Sequence, residues 1–234
     1  MVKLLIAITS WSRTHGIFLS KLLDTYAAEY ADLAPQICLS VNYAFEHSLP
    51  HTRLTKEYEG WRYTWNCRRY ELESDWTHLI ESDDDILVPR RAFDYYVKLQ
   101  GMPAPFVPGV VSYEQDAAGS ARLITLASDR PPVKQMMRIE GRACFEPHNP
   151  HSGCLIIDRA RWDAARPSET PTRSGWFTEA EYARSELYDR AYKKAVEIEA
   201  VRDGSALVRH LPARYLLKTW RTCPTPNTLR LKAI

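Results

Sequence analysis

The apolar positions of this chain fall into blocks that alternate between strand-like and helix-like spacing. Residues 3–9 (KLLIAIT) are a continuous apolar run of strand length. Residues 16–30 (GIFLSKLLDTYAAEY) carry helical periodicity, and 36–42 (QICLSVN) return to a strand. After a polar loop, a helix is predicted at about 55–73, rich in Arg, Trp and Tyr. Residues 76–82 (WTHLIES) predict a third strand that runs into three aspartates. Pro89 then stands where the first position of a helix accepts proline, and 90–100 (RRAFDYYVKLQ) follow as that helix. Such alternation predicts a mostly parallel sheet covered by helices on both faces, the three-layer α/β/α class.

The second half changes style. FVPGVVSYE (106–114) and SARLITLA (120–127) are strand-like and flank a hairpin turn at DAAG, and 133–140 add a further strand. GCLIID (153–158) is a short apolar strand before a helix at 159–165. A Pro/Ser/Thr loop at 167–175, a long helix at about 178–199 and a last strand at 205–210 (SALVRH) complete the reading. No linker, repeat or low-complexity stretch interrupts the chain. The expectation is a single domain over 1–234. Residues 1–100 form a nucleotide-type half, and 101–234 form a second-substrate half ending in a basic segment.

Composition changes this picture in three places. The 234 residues include nine glycines, no two closer than eight positions, so neither a G-x-G-x-x-G turn nor a G-x-x-x-x-G-K-[ST] loop can be written. A bound nucleotide would need its phosphates neutralised by something other than a glycine-rich cradle. The net charge of +2 argues against a general nucleic-acid binder. Five cysteines with scattered spacing read as reduced thiols in a cytoplasmic setting. The opening apolar run is too short for a signal peptide or a membrane span.

The segment WTHLIESDDDILVP carries the sharpest chemistry. An apolar strand delivers Asp83, Asp84 and Asp85 at its carboxyl end, where ligands bind in open α/β sheets. Three adjacent carboxylates repel one another unless a cation or hydrogen-bond donors compensate. Mg2+ or Mn2+ suits oxygen ligands and keeps positions for phosphates. On an extended chain Asp83 and Asp85 share one face and Asp84 points the other way. A solvated acidic turn, or Asp85 as a helix N-cap, is the alternative.

An apolar strand ending in D-x-D, on a chain that opens with a strand and T-S-W-S-R, resembles the GT-A-type glycosyltransferases, in particular family-2-like and exostosin-like members. IAITSWSRTHGIFLSKLL resembles their first strand and helix, HSGCLIIDRARW the acceptor-side strand, and VRHLPARYL the C-terminal segment whose histidine completes the metal site in many members. The resemblance implies a GT-A-like fold and transfer of a sugar from a nucleotide-diphosphate donor, UDP-sugar before GDP-sugar, to a glycan or glycoconjugate acceptor, with Mn2+ or Mg2+. It implies that Thr9, Ser10 and Arg13 line the nucleotide base. Asp83 would contact ribose and metal, Asp85 would ligate the metal, and His210 would be the third protein ligand. Asp84 is grouped with the donor-binding residues. Bacterial glycan synthesis in the cytoplasm, with peripheral contact at the inner membrane face, fits this reading.

Other candidates follow from spacing. Arg62, Asn66 and Arg69 lie at near-helical intervals before the aspartate strand, with Arg68 the alternative to Arg69; a donor phosphate or a salt-bridged helix face explains them equally. No acidic residue occurs from Gly204 to Ile234, so Arg214 and Lys218, four apart, offer countercharge to a leaving diphosphate. His210 is otherwise a satisfied core histidine. Family members place the base on the long helix after the acceptor loop, so Glu186, with Asp189 on the same face, is the candidate. The adjacent Glu-Asp pair of many inverting members is absent there. His151, Ser152 and Gly153 are candidates for acceptor binding, in preference to a zinc site made from Cys144, His148, His151 and Cys154. Two rivals remain: a sugar-nucleotide nucleotidyltransferase, which would normally carry a Gly-rich basic loop after the first strand, and a non-catalytic carbohydrate- or partner-binding module.

Overall fold

The computed structural model describes residues 2–10, 13–55, 57, 65–115, 121–123, 133–147, 153–167, 169 and 191–211. The central sheet has five strands: β1 (Leu4–Thr9), β2 (Gln36–Ser40), β3 (Thr52–Leu54), β4 (His78–Asp83) and β11 (Cys154–Asp158), in the order β11-β4-β1-β2-β3. β1 pairs in parallel with β2 and β4, β2 pairs in parallel with β3, and β11 lies antiparallel to β4 at the edge. All six residues of β1 are buried, as expected of a parallel strand covered on both faces.

Two helical layers cover this sheet, and the alternation along β4 shows which layer lies where. His78 packs edge-on against Phe93 of α3 (Arg90–Leu99), and the Phe93 ring in turn lies 6.0 Å from that of Tyr30, which follows α1 (Gly16–Glu29). On the opposite face, Glu81 lies close to the contacting thiols of Cys38 and Cys67, and Cys67 precedes α2 (Arg68–Glu73). Arg68 of α2 is fully buried. It bonds Glu71 at 3.1 Å and lies 4.7 Å over the ring of Trp162 in α4 (Arg159–Ala165). The α/β/α layering read from the sequence is therefore the observed one.

Two smaller sheets extend the fold. One joins β6 (Phe106–Pro108), β12 (Lys193–Glu197), β10 (Arg142–Pro147) and β9 (Val133–Ile139) in the order β6-β12-β10-β9. The other joins β5 (Ile86–Leu87), β13 (Leu207–His210), β7 (Val111–Gln115) and β8 (Ala121–Leu123) in the order β5-β13-β7-β8. The strands flanking DAAG pair antiparallel as a hairpin, Tyr113 opposite Leu123.

Two expectations need correction. Residues 193–197, read as the end of a long helix, form strand β12, and only then does α5 (Ile198–Arg202) begin. The apolar spacing of K-K-A-V-E suits either element, and pairing with both β10 and β6 decides for the strand. Of the helix expected at about 55–73, residues 68–73 are α-helical, and residues 56 and 58–64 lie outside the described residues. The chain forms β3 against β2 just before it, and α2 starts only at Arg68. Residues 178–190 of the expected helix lie outside the described residues. Pro89 is the residue before α3 rather than its first turn, with φ −70° and ψ 155°.

Candidate functional site

The site follows from the strand order. β1 connects to β2 on one side and has β4 on the other, the reversal of strand order beside which open α/β sheets bind ligands, and there the carboxyl ends of β1 and β4 lie side by side. The register sets Thr9 opposite Asp83. The next residues, Ser10 and Asp84, leave the sheet together. Asp84 N–H donates to Thr9 O at 3.2 Å, and Ser10 Oγ donates to Asp84 Oδ2 at 2.5 Å.

β4 ends at Asp83 and the chain turns at 84–85, so the simple alternation of an extended D-x-D does not apply. Asp84 has no exposed surface. Besides Ser10, it engages His15 Nδ1 through Oδ1 at 2.8 Å, and Ser10 Oγ is in turn 2.7 Å from Tyr43 Oη. Burial pushes the Asp84 carboxyl up to about 6, against the bonds from Ser10 and His15 that hold it down. Asp85 turns toward His210, whose Nε2 is 3.4 Å from Asp85 Oδ2. Ligand atoms of His15, Asp84 and Asp85 all lie within 4.8 Å of one another.

His210 is brought there by β13. The register pairs it with Ile86, one residue after Asp85, and Leu211 N–H closes onto Asp85 O at 2.8 Å. Its other ring nitrogen, Nδ1, is 2.6 Å from Oε1 of Glu114 on β7, a carboxylate with no exposed surface. Burial depresses the His210 imidazole, but Asp85 and Glu114 outweigh it and hold the pKa above the ordinary histidine value.

Gly153 closes the other side of the aspartate turn. Its carbonyl accepts Asp83 N–H at 3.0 Å, and its φ is +67°. A Cβ there would stand 2.6 Å from Ile86 Cγ1 and 3.4 Å from Asp83 Oδ2. A side chain is thus excluded twice, by backbone conformation and by space.

The structure gathers Thr9, Ser10, Asp83, Asp84, Asp85, Gly153 and His210 at one end of the sheet. Arg13 is exposed in a 3₁₀ turn before α1. Asn66 is nearly buried and accepts Glu57 N–H at 2.7 Å, beside Cys67, whose Sγ is 3.6 Å from Thr9 Oγ1. Arg69 is not brought to the aspartates. It is exposed and paired with Glu73 at 2.9 Å, as expected of a solvated i,i+4 pair. Arg62, His151, Ser152, Glu186, Asp189, Arg214 and Lys218 lie outside the described residues. Cys144 and Cys154 are buried on strands of different sheets; His148 and His151 lie outside the described residues.

Sequence reasoning missed His15, Tyr43 and Glu114. Glu114 had a signal, since an acidic residue inside the apolar strand FVPGVVSYE calls for a buried partner. His15 stood in the loop already singled out after β1. Nothing local marks Tyr43, which reaches Ser10 from the segment after β2.

No protein-family model matches the chain, and no curated protein matches its sequence. Solved structures match its shape. GalNAc-T7 with UDP, GalNAc and Mn2+ aligns with 100% of this chain and 47% of its own, at 10% identity and a TM-score of 0.54. Staphylococcus aureus TarS 1-349 in complex with UDP-GlcNAc aligns with 83% of this chain and 55% of its own, at 9% identity and a TM-score of 0.49. Mannose-1-phosphate geranyltransferase from Thermus thermophilus aligns with 83% and 73%, at 11% identity and a TM-score of 0.46. The chain spans about half the length of the GalNAc-T7 and TarS structures. At these identities the likeness speaks to architecture, and the alignment with GalNAc-T7 gives this chain a GT-A-like α/β/α fold.

Proposed function

We propose that this protein is a metal-dependent glycosyltransferase that moves a sugar from a nucleotide-diphosphate donor to an acceptor hydroxyl. The observation that carries the reading is the aspartate turn at the carboxyl end of β4, beside the end of β1, with His210 folded back against Asp85. That GalNAc-T7 shares the fold and holds UDP, GalNAc and Mn2+ in its structure supports it.

Oxygen and imidazole donors of the kind that hold a hard divalent ion meet at this turn, and Asp85 belongs both to the His15, Asp84, Asp85 cluster and to the pair with His210. Donors of one such ion, each about 2.1 Å from it, lie within roughly 4.2 Å of one another. His15, Asp84 and Asp85 already approach that spacing, within 4.8 Å. Both Asp84 oxygens are engaged by Ser10 and His15, which makes Asp84 the residue that holds the turn. Asp83 and Asp85, with His210, are the proposed ligands, and one imidazole among oxygens favours Mn2+ over Mg2+. Bound there, the ion would supply Lewis-acid charge for a departing diphosphate.

Around that centre, Thr9, Ser10 and Arg13 are assigned to the nucleoside, and Arg214 and Lys218 to countercharge. Gly153, with His151 and Ser152, is assigned to the acceptor side, and Glu186, backed by Asp189, to the base that deprotonates the acceptor hydroxyl. Residues 1–100 would then hold the donor and 101–234 the acceptor. No helix among the described residues is long and apolar enough to cross a membrane.

A panel of UDP-, GDP-, CMP- and TDP-sugars, scored by thermal shift with and without Mn2+, tests the reading. One nucleotide-sugar class, UDP-sugars first, is expected to stabilise the protein only when Mn2+ is present, and its hydrolysis or transfer should follow. Sugar binding indifferent to EDTA, with no turnover of any donor, would instead identify a binding module.

A further inference from the structure

Behind His210, a candidate metal ligand, stands a dedicated partner. The His210 Nδ1 is 2.6 Å from Glu114 Oε1, while its Nε2 is 3.4 Å from Asp85 Oδ2. An ionised carboxylate accepts and does not donate, so with Glu114 as carboxylate the short contact places a proton on Nδ1. In the neutral ring the lone pair then lies on Nε2, the nitrogen that faces Asp85.

The fold builds this arrangement from one sheet. β13 carries His210 between β5 and β7. β5 follows Asp85 directly, and β7 carries Glu114. Arg209 lies opposite Tyr113 in the parallel pair, so His210 and Glu114 are the next residues along on each strand. Glu114 has no exposed surface, so its bond to the imidazole is made where water does not compete for it.

We propose that Glu114 is a positioning residue. By accepting the Nδ1–H of His210 it fixes the imidazole in the tautomer, and at the angle, that presents Nε2 to a divalent cation held by Asp85. The inference rests on the metal-dependent reading of the site. Histidine ligands generally need such a partner, and its loss typically weakens metal binding 10–100-fold.

The test uses the full chain and Mn2+ alone, read by the loss of the free-ion signal in electron paramagnetic resonance. Glu114→Ala is expected to weaken Mn2+ binding 10–100-fold. Glu114→Gln, which retains an acceptor oxygen in the same shape, is expected to lose less. In a His210→Ala background, Glu114→Ala should add almost nothing, because its effect passes through the ring. Histidine 15N spectra of the metal-free protein at alkaline pH are expected to show the Nδ1–H tautomer at His210 in wild type and in Glu114→Gln. Wild-type affinity in folded Glu114→Ala, or an equal loss with and without His210, would overturn the proposal. So would an Nε2–H tautomer in wild type. If wild type binds no Mn2+, the metal reading fails, and the 15N spectra still decide whether Glu114 sets the ring. Should Glu114→Ala not fold, Glu114→Gln carries the comparison.

Discussion

Three consecutive aspartates occupy three different environments. Asp83 ends a strand against Gly153, Asp84 is sealed beneath Ser10 and His15, and Asp85 faces His210. Their roles therefore separate under substitution. Asp85→Asn keeps the shape and removes the charge, so transfer is expected to fall about 100-fold or more, with Mn2+-dependent donor binding weakened. Steady-state assays with the donor found by thermal shift check this, and unchanged turnover would remove Asp85 from the metal site. Gly153→Ala must strain a positive φ and push Ile86 aside. It is expected to cost about 1–3 kcal/mol in urea denaturation.

At the scale of elements, α4 shows how a strand end can serve the next helix. Asp158 closes β11 and caps α4: its carboxylate accepts Arg161 N–H at 3.0 Å, pairs with the Arg161 guanidinium at 2.7 Å and accepts the Tyr96 hydroxyl at 2.9 Å. Burial raises the Asp158 carboxyl, but these donors outweigh it and leave it below the usual carboxylate range. The unfolded chain thus binds a proton more readily than the folded one. The stability this group adds is present above its unfolded pKa near 4 and is lost as pH falls through its lower folded value. Asp158→Ala is expected to cost about 1–2 kcal/mol at pH 7, and the gap from wild type should narrow below pH 4 in denaturation series. β12 marks the limit of element-level reading. Lys193–Glu197 has apolar spacing compatible with either element, and its partners β6 and β10 lie about 85 and 50 residues earlier.

For the whole molecule, the central consequence is the coupling of donor to metal. If carboxylates hold an ion and the ion holds the diphosphate, donor at about 100 times its dissociation constant should add about 2.7 kcal/mol of stability. For a chain of this size that is roughly 5–10 °C of melting temperature. In the sugar panel this shift is expected to collapse when EDTA removes the ion. The same view explains what local patterns concealed. Tyr43 reaches Ser10 across 33 residues, His15 reaches Asp84 across 69, and Glu114 reaches His210 across 96. No periodicity in the chain encodes those meetings.

Sequence alone determined the layers and the place of the carboxylates. Apolar runs such as residues 3–9 are those of strands buried in a parallel sheet, and an apolar strand running into three aspartates sets them at its carboxyl end. Tertiary structure decided how the aspartates divide their work. Strand β4 stops at Asp83, so the next two carboxylates follow a turn rather than a pleat. Pairing then settles their partners: β1 supplies Ser10 beside Asp84, and β13 carries His210 to Asp85. Hydrogen-bond register between strands distant in sequence is a property of the assembled sheet, and the environments of those carboxylates were determined by that register.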